Sequence, residues 1–298
     1  MDRTSPLRTY AMLVLVTLLW AGNSIVARFI HADIPPFTLA LCRWMGACLI
    51  LLAFGHRRVV ADWPAARRHW RSILLLGTIG VALFNAFLYS GLRYTTATNA
   101  LLIQAAIPAL VLLFDLMLFR VRPRLVQIVG VTLAAVGVVL IIIRADPAAL
   151  MALGFGRGDV LVLCGVVAWA LYTALLRKKP PIDAVSFVTL TFAIGAICML
   201  PFAMFEWRTE IVRFTPAVMG GVVYVAIFPS VIAYFLFNRA VAEIGPAAAG
   251  QAISLQPLFG AVLAAILLGE ALHGFHFVGM VLILAGIVIP LLGARSTP

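Results

Sequence analysis

The sequence predicts an all-α membrane protein, with ten transmembrane helices arranged as two inverted five-helix repeats around a central cavity. Three observations carry that expectation. Of the 298 residues, 64% are hydrophobic and only 11% charged, against roughly 25% charged in an average soluble domain. The apolar residues gather into ten runs of about 17 to 25 residues, the length that crosses a hydrocarbon core. The chain also matches itself at an offset of 149, half its length.

In order, the runs are Tyr10 to Ile30, Phe37 to Phe54, Ile73 to Leu92, Ala97 to Phe119 and Leu125 to Ile143, then Val160 to Leu176, Ala184 to Phe205, Pro216 to Phe237, Gly245 to Leu268 and Phe275 to Leu292. The first follows a basic start, as a signal peptide would. It is too long for a signal h-region and lacks a small-x-small cleavage site, so it is the first span. Barrel strands would alternate apolar and polar residues in units of about ten. These runs do not alternate, so helices are expected throughout. Connections are short, and no soluble domain or low-complexity linker interrupts them.

Charge gives the orientation. If each span crosses once from a cytoplasmic N-terminus, fifteen Lys and Arg fall on the cytoplasmic side, among them Arg57, Arg58, Arg67, Arg68, Arg120, Arg122, Arg177 and Lys178, and six on the other. The net charge of +11 then lies wholly on the cytoplasmic face. That is a positive-inside bias, which places both termini in the cytoplasm and removes the reason to read the basic chain as a nucleic-acid binder. The expected partners are the lipid bilayer and a small-molecule substrate, with no nucleic-acid partner and a monomeric chain.

At the half-length offset Trp20 meets Trp169, Arg28 meets Arg177, Pro108 meets Pro257, and Gly46, Gly130 and Gly137 meet Gly195, Gly279 and Gly286. Five runs superpose on five. Residues 1–149 and 150–298 thus read as two repeats, and because five is odd the second enters the membrane upside down. Secondary transporters use such inverted repeats to expose one central site to alternate sides.

Polar residues inside the spans mark the candidate site, because at membrane depth they are costly unless partnered. Trp20, Asn23 and Ser24 share one helix face, as do Trp169, Tyr172 and Thr173 at the matching offsets. Asn85 and Tyr89 in the third span are matched at the half-length offset by Tyr234 and Asn238 in the eighth, the same two side chains in swapped order. An aromatic beside an amide suits a flat ligand with a polar end; interhelical hydrogen bonding without a ligand is the competing reading. Pro108 and Pro257 lie inside the fourth and ninth spans and are expected to bend them. Near them stand Asn99 and Gln104, and Gln251, Ser254 and Gln256. These two helices, with the third and eighth, are placed around the cavity, and the apolar fifth and tenth outside it. Pro108, Pro229 and Pro257 are the candidate hinges.

Arg43 sits at mid-depth, either to meet a substrate carboxylate or to pair with helix carbonyls and polar neighbours. Asp115 is expected to reach the interface or pair with nearby arginines. Glu270, His273 and His276 could form a metal cluster, but ordinary loop polarity explains them, so no metal and no cofactor is expected. Cys42, Cys48, Cys164 and Cys198 read as packing residues. No Ser–His pairing, paired Asp motif or HExxH points to an intramembrane enzyme. No pair of deep carboxylates exists for strong proton coupling, and the glycines of 154–158 lack a Walker lysine.

The Leu19 to Asn23 run, Arg43, Pro108, Pro257 and the Leu268 to Leu272 run ahead of Gly279 resemble the EamA branch of the drug/metabolite transporter superfamily over essentially the whole chain. Within it the sequence is most similar to bacterial inner-membrane exporters of aromatic and other neutral amino acids. The resemblance implies a cavity lined by the third, fourth, eighth and ninth helices, with parts of the first and sixth, and efflux of metabolites or drugs by alternating access. Efflux of planar cationic drugs is the second transport reading. One departure is that the glutamate which closes the fourth span in that family is Val121 here, between Arg120 and Arg122.

Overall fold

The computed structural model describes residues 6–95, 100, 103–143, 156–268 and 273–295. Among them every regular element is helical: α1 (Pro6–Ile30), α2 (Pro36–Arg68), α3 (Trp70–Leu92), α4 (Ile107–Phe119), α5 (Leu125–Ile142), α6 (Arg157–Lys178), α7 (Ala184–Glu206), α8 (Pro216–Ile244), α9 (Pro246–Ala252), α10 (Leu255–Leu268) and α11 (Gly274–Arg295). Seven described helices, α1 to α3 and α5 to α8, are long and apolar enough to cross a membrane. The chain is therefore a multi-pass membrane protein.

Several elements differ from the sequence expectation. The second span was expected to end at Phe54, yet α2 runs on to Arg68 as one helix of 33 residues. At 1.5 Å per residue this is about 50 Å, well beyond a core of about 30 Å. Its extension is a polar amphipathic arm, held by Asp62 accepting the Asp183 N–H at 2.9 Å and by Arg58 lying 3.6 Å from Asp183.

Pro108 and Pro257 mark breaks in place of the expected bends. A turn at Ala105–Ala106 precedes α4, which has Pro108 in its first turn, and a turn at Ile253–Ser254 separates α9 from α10, which has Pro257 in its first turn. A first-turn N–H has no acceptor within its own helix, so a proline costs little there. The third and eighth spans each contain a π-helical segment, Thr78–Leu83 and Ile227–Ile232. Each end of the second segment lies one repeat offset beyond the corresponding end of the first.

Packing follows the same correspondence. α2 packs on α7 and α5 on α11, while α3 against α6 is matched by α8 against α1. Likewise α4 on α6 is matched by α10 on α1. The α5–α11 contact is the closest in backbone terms: a Cβ on Gly130 would stand 2.4 Å from the Gly286 carbonyl oxygen, and one on Gly137 would stand 2.6 Å from that of Gly279. Small residues allow this approach, which drives helix association in lipid. A core of Val138, Ile141, Leu255, Leu258, Ile283 and Ile287 joins the pair to α10.

Polar contacts between helix ends fall into two groups. One group joins Asp33 to Arg213, Arg93 to Glu206 and Glu210, and Thr95 to Asp159. The other joins Thr9 to Glu243, Ser72 to Lys178, Asp62 to Asp183, and Asp115 to Arg177.

Candidate functional site

The two π segments explain why polar side chains collect at mid-depth. A π turn shifts the backbone ladder from i→i+4 to i→i+5 and leaves carbonyls open to other donors. Pro229, which has no N–H of its own, lies in the second segment; its carbonyl accepts the Trp20 indole N–H at 3.0 Å and an Arg43 Nη2–H at 3.4 Å. In the first segment the Gly80 carbonyl accepts the Tyr234 hydroxyl at 3.2 Å. Gly80 has no alternative residue at this spot, since a Cβ would stand 2.2 Å from the Tyr172 ring.

Around these carbonyls lies one aromatic cluster. Trp20 is edge-on to Trp169 at 5.3 Å, Trp169 lies 5.8 Å from Tyr234 and 5.3 Å from Tyr172, and Tyr234 meets Trp44 at 5.6 Å and Phe192 at 5.1 Å. Phe237 and Phe84 complete it against Trp169. Edge-to-face geometry aligns ring edges with ring faces and adds to the area buried. At one end the Tyr172 hydroxyl donates to Asn238 Oδ1 at 2.9 Å. At the other the Arg43 Nε–H donates to Ser230 Oγ at 2.6 Å, with the guanidinium 4.3 Å above the Trp44 ring. Arg43 thus pairs with a helix carbonyl and a polar neighbour, one of its two expected arrangements.

Among the described residues of the expected set, the structure brings together Trp20, Trp169, Tyr172, Tyr234 and Asn238. Asn85 turns back onto its own helix, donating to the Val81 carbonyl at 2.8 Å. Tyr89 lies against Phe37, whose ring also faces Arg93. Gln104, Ser254 and Gln256 line a separate cleft with Pro257 and Val138, with room of about 20 Å³, enough for about one water. Gln251 fastens α9 to α11 by donating to the Gly286 carbonyl. Asn23 is half-buried on α1. Asn99 and Glu270 lie outside the described residues, as does the side chain of Ser24. The described cluster therefore comes from α1, α2, α3, α6, α7 and α8, with the fourth and ninth spans at the cleft beside it.

Sequence reasoning missed Trp44, Phe84, Phe192 and Phe237, because it followed polar residues only. The i, i+3, i+4 pattern Tyr234, Phe237, Asn238 carried a signal for one of them. It also missed Glu206, which closes α7 and is only 1% exposed. Its carboxylate accepts the Phe37 and Thr38 N–H groups at 3.1 and 2.8 Å, caps the start of α2, and pairs with Arg93 at 2.8 Å. Asp115 pairs with Arg177 at 2.8 Å, as expected.

The model of the EamA-like transporter family matches residues 7–143 and again 156–292. The chain belongs to the EamA-like transporter family. The two matched stretches share the offset of the repeat read from the sequence. An uncharacterized transporter of Archaeoglobus fulgidus is 30% identical over 95% of this chain and 96% of its own length. A probable amino-acid metabolite efflux pump of Salmonella typhimurium is 26% identical over 95% and 94%. A crystal structure 20% identical superposes with a TM-score of 0.79, covering 98% of this chain and 99% of that one. As an EamA-like protein the chain is a membrane transporter, and its relatives' names point away from an enzyme.

Proposed function

We propose that this EamA-like protein is a secondary transporter of ten spans that exports small organic metabolites, chiefly aromatic and other neutral amino acids, by alternating access. Its halves, 1–149 and 150–298, are inverted repeats in a bacterial inner membrane, with both termini cytoplasmic. Support for the repeats comes from the π segments at matching positions and from the paired packing of α3 on α6 and α8 on α1. Pro108, Pro229 and Pro257 lie at helix breaks or π turns, where a change of shape costs few regular hydrogen bonds, and so serve as hinges.

One observation carries the substrate reading: an aromatic cluster with an amide at one end and a guanidinium at the other, built from both halves where the π turns meet. Rings and polar ends at mid-depth match the chemistry of an aromatic amino acid. In the structure described, these side chains are packed on one another, the arrangement expected of a closed state between two open ones. Asn23, Ser24, Asn85, Tyr89, Asn99, Gln104, Gln251, Ser254 and Gln256 would line the path on either side. The relative named as an amino-acid metabolite efflux pump favours the same class. Purified protein in liposomes, supplied with labelled tryptophan, phenylalanine, leucine and lysine with and without a pH gradient, tests this. Faster movement of the aromatic and neutral members than in empty vesicles is expected; equal rates for all four would refute it.

A further inference from the structure

Arg43, two turns into α2, is 6% exposed, and its partners are all neutral: a hydroxyl, a carbonyl and an indole face. No carboxylate among the described residues lies within ion-pair distance of it. A buried cation without a counter-charge is among the most costly arrangements in a membrane, and such residues mark functional positions. Around it, hydrogen-bond donors are in surplus. Trp44 Nε1, next in sequence, and Asn238 Nδ2, at the far end of the cluster, are buried with no partner among the described residues. Tyr234 and Trp20 already spend their donors on the Gly80 and Pro229 carbonyls. The Trp44 N–H, an unsatisfied buried donor beside an uncompensated cation, lacks one thing, an anionic acceptor.

We propose that Arg43 and the Trp44 indole N–H form the subsite for the carboxylate of the transported molecule, resting on the transporter reading above. The guanidinium fork matches two carboxylate oxygens. In the closed arrangement Ser230 Oγ and the Pro229 carbonyl stand in for those oxygens. Both belong to the π segment Ile227–Ile232, so binding the carboxylate releases Arg43 from the part of α8 whose ladder is already shifted. The substrate's ring then lies among Trp20, Trp169 and Tyr234. This subsite selects molecules that keep a carboxylate and rejects planar cations, which would face Arg43 with like charge.

Ligand-induced stabilisation of the purified protein separates this inference from the transport reading. The probes are tryptophan, indole-3-propionate, which keeps the carboxylate and lacks the amine, and tryptamine, which has only the amine. Tryptophan and indole-3-propionate are expected to bind, with tryptamine weaker by roughly tenfold or more. Arg43→Gln should weaken both carboxylates by roughly tenfold and, by removing the like charge, should not weaken tryptamine. Trp44→Phe, which keeps the ring and drops the N–H, should weaken them about fivefold. Arg43→Lys should recover part of the loss. Tryptamine binding as tightly as tryptophan overturns the proposal, as does absence of carboxylate binding. If Arg43→Gln does not fold, unchanged carboxylate affinity in Trp44→Phe overturns it. Carboxylates that bind but are not moved across liposomes would leave this subsite standing and sink the transport reading alone.

Discussion

The indole of Trp20, on α1, donates to the carbonyl of Pro229, in the π segment of α8, across 3.0 Å. The bond joins α1 to α8, and Arg43 reaches the same oxygen. Trp20→Phe keeps a ring and removes the donor, and should lower stability by about 1 kcal/mol. Trp20→Ala also removes the contacts with Trp169 and Phe237 and should cost about 3–5 kcal/mol. Thermal unfolding in detergent measures both, and equal losses would show that the hydrogen bond outweighs the packing.

Tyr234 and Tyr89 both belong to the site read from the sequence, but only Tyr234 is in the cluster. It touches Trp44, Trp169 and Phe192, while Tyr89 touches Phe37. Tyr234→Ala should therefore reduce aromatic amino acid transport at least tenfold, or about 1.4 kcal/mol in the barrier, with a clearly smaller effect from Tyr89→Ala. Initial rates in liposomes check the order, and the reverse order would move the site toward α2.

Gly130→Ala places a methyl 2.4 Å from the Gly286 carbonyl oxygen, a backbone atom that cannot turn aside. α5 and α11 must separate, at about 1–3 kcal/mol. Gly220 is also helical but has nothing within 4 Å of its added Cβ. Gly220→Ala should be neutral or stabilising by up to about 1 kcal/mol, since alanine favours helix. Comparing the two unfolding midpoints tests whether the contact or the helix propensity decides.

Asp115 and Arg177 tie α4 to α6 through two hydrogen bonds of 3.1 and 2.8 Å. At the half-length offset Asp115 meets Ala264, so this carboxylate has no counterpart there. Asp115→Asn and Arg177→Gln should each destabilise, and the double variant should lose less than their sum, with a coupling of about 0.5–2 kcal/mol after allowing for the partly exposed arginine. Additive losses in a double-mutant cycle would deny the pair a joint role.

Glu206 caps α2 from the end of α7 and holds Arg93. Glu206→Gln keeps an acceptor for the two N–H groups but loses the charge, and should cost less than Glu206→Ala, which strands both donors at about 1–3 kcal/mol each. Chemical denaturation of the three proteins checks the ranking.

Much of the molecule was legible in the chain. Hydropathy runs fixed helices and a membrane because insertion depends on summed local transfer energies, which any window of the sequence contains. The offset linking Trp20 to Trp169 was legible for the same reason, since it compares sequence with sequence. The site was legible only in part: Trp20, Trp169, Tyr172, Tyr234 and Asn238 were named, while Asn85 and Tyr89 were grouped with them on equal grounds.

Helical spacing tells which residues share a face; the rotation and depth of that face against its neighbours follow from packing the whole bundle. Tertiary structure alone therefore decided that Tyr234 turns toward Gly80, that Phe192 and Phe237 close the cluster, and that Glu206 is buried. It also decided that Arg43 meets neutral oxygens where a charge is wanted. The π turns belong here too, because a shifted ladder is stable only where distant side chains such as Trp20 supply the missing hydrogen bonds.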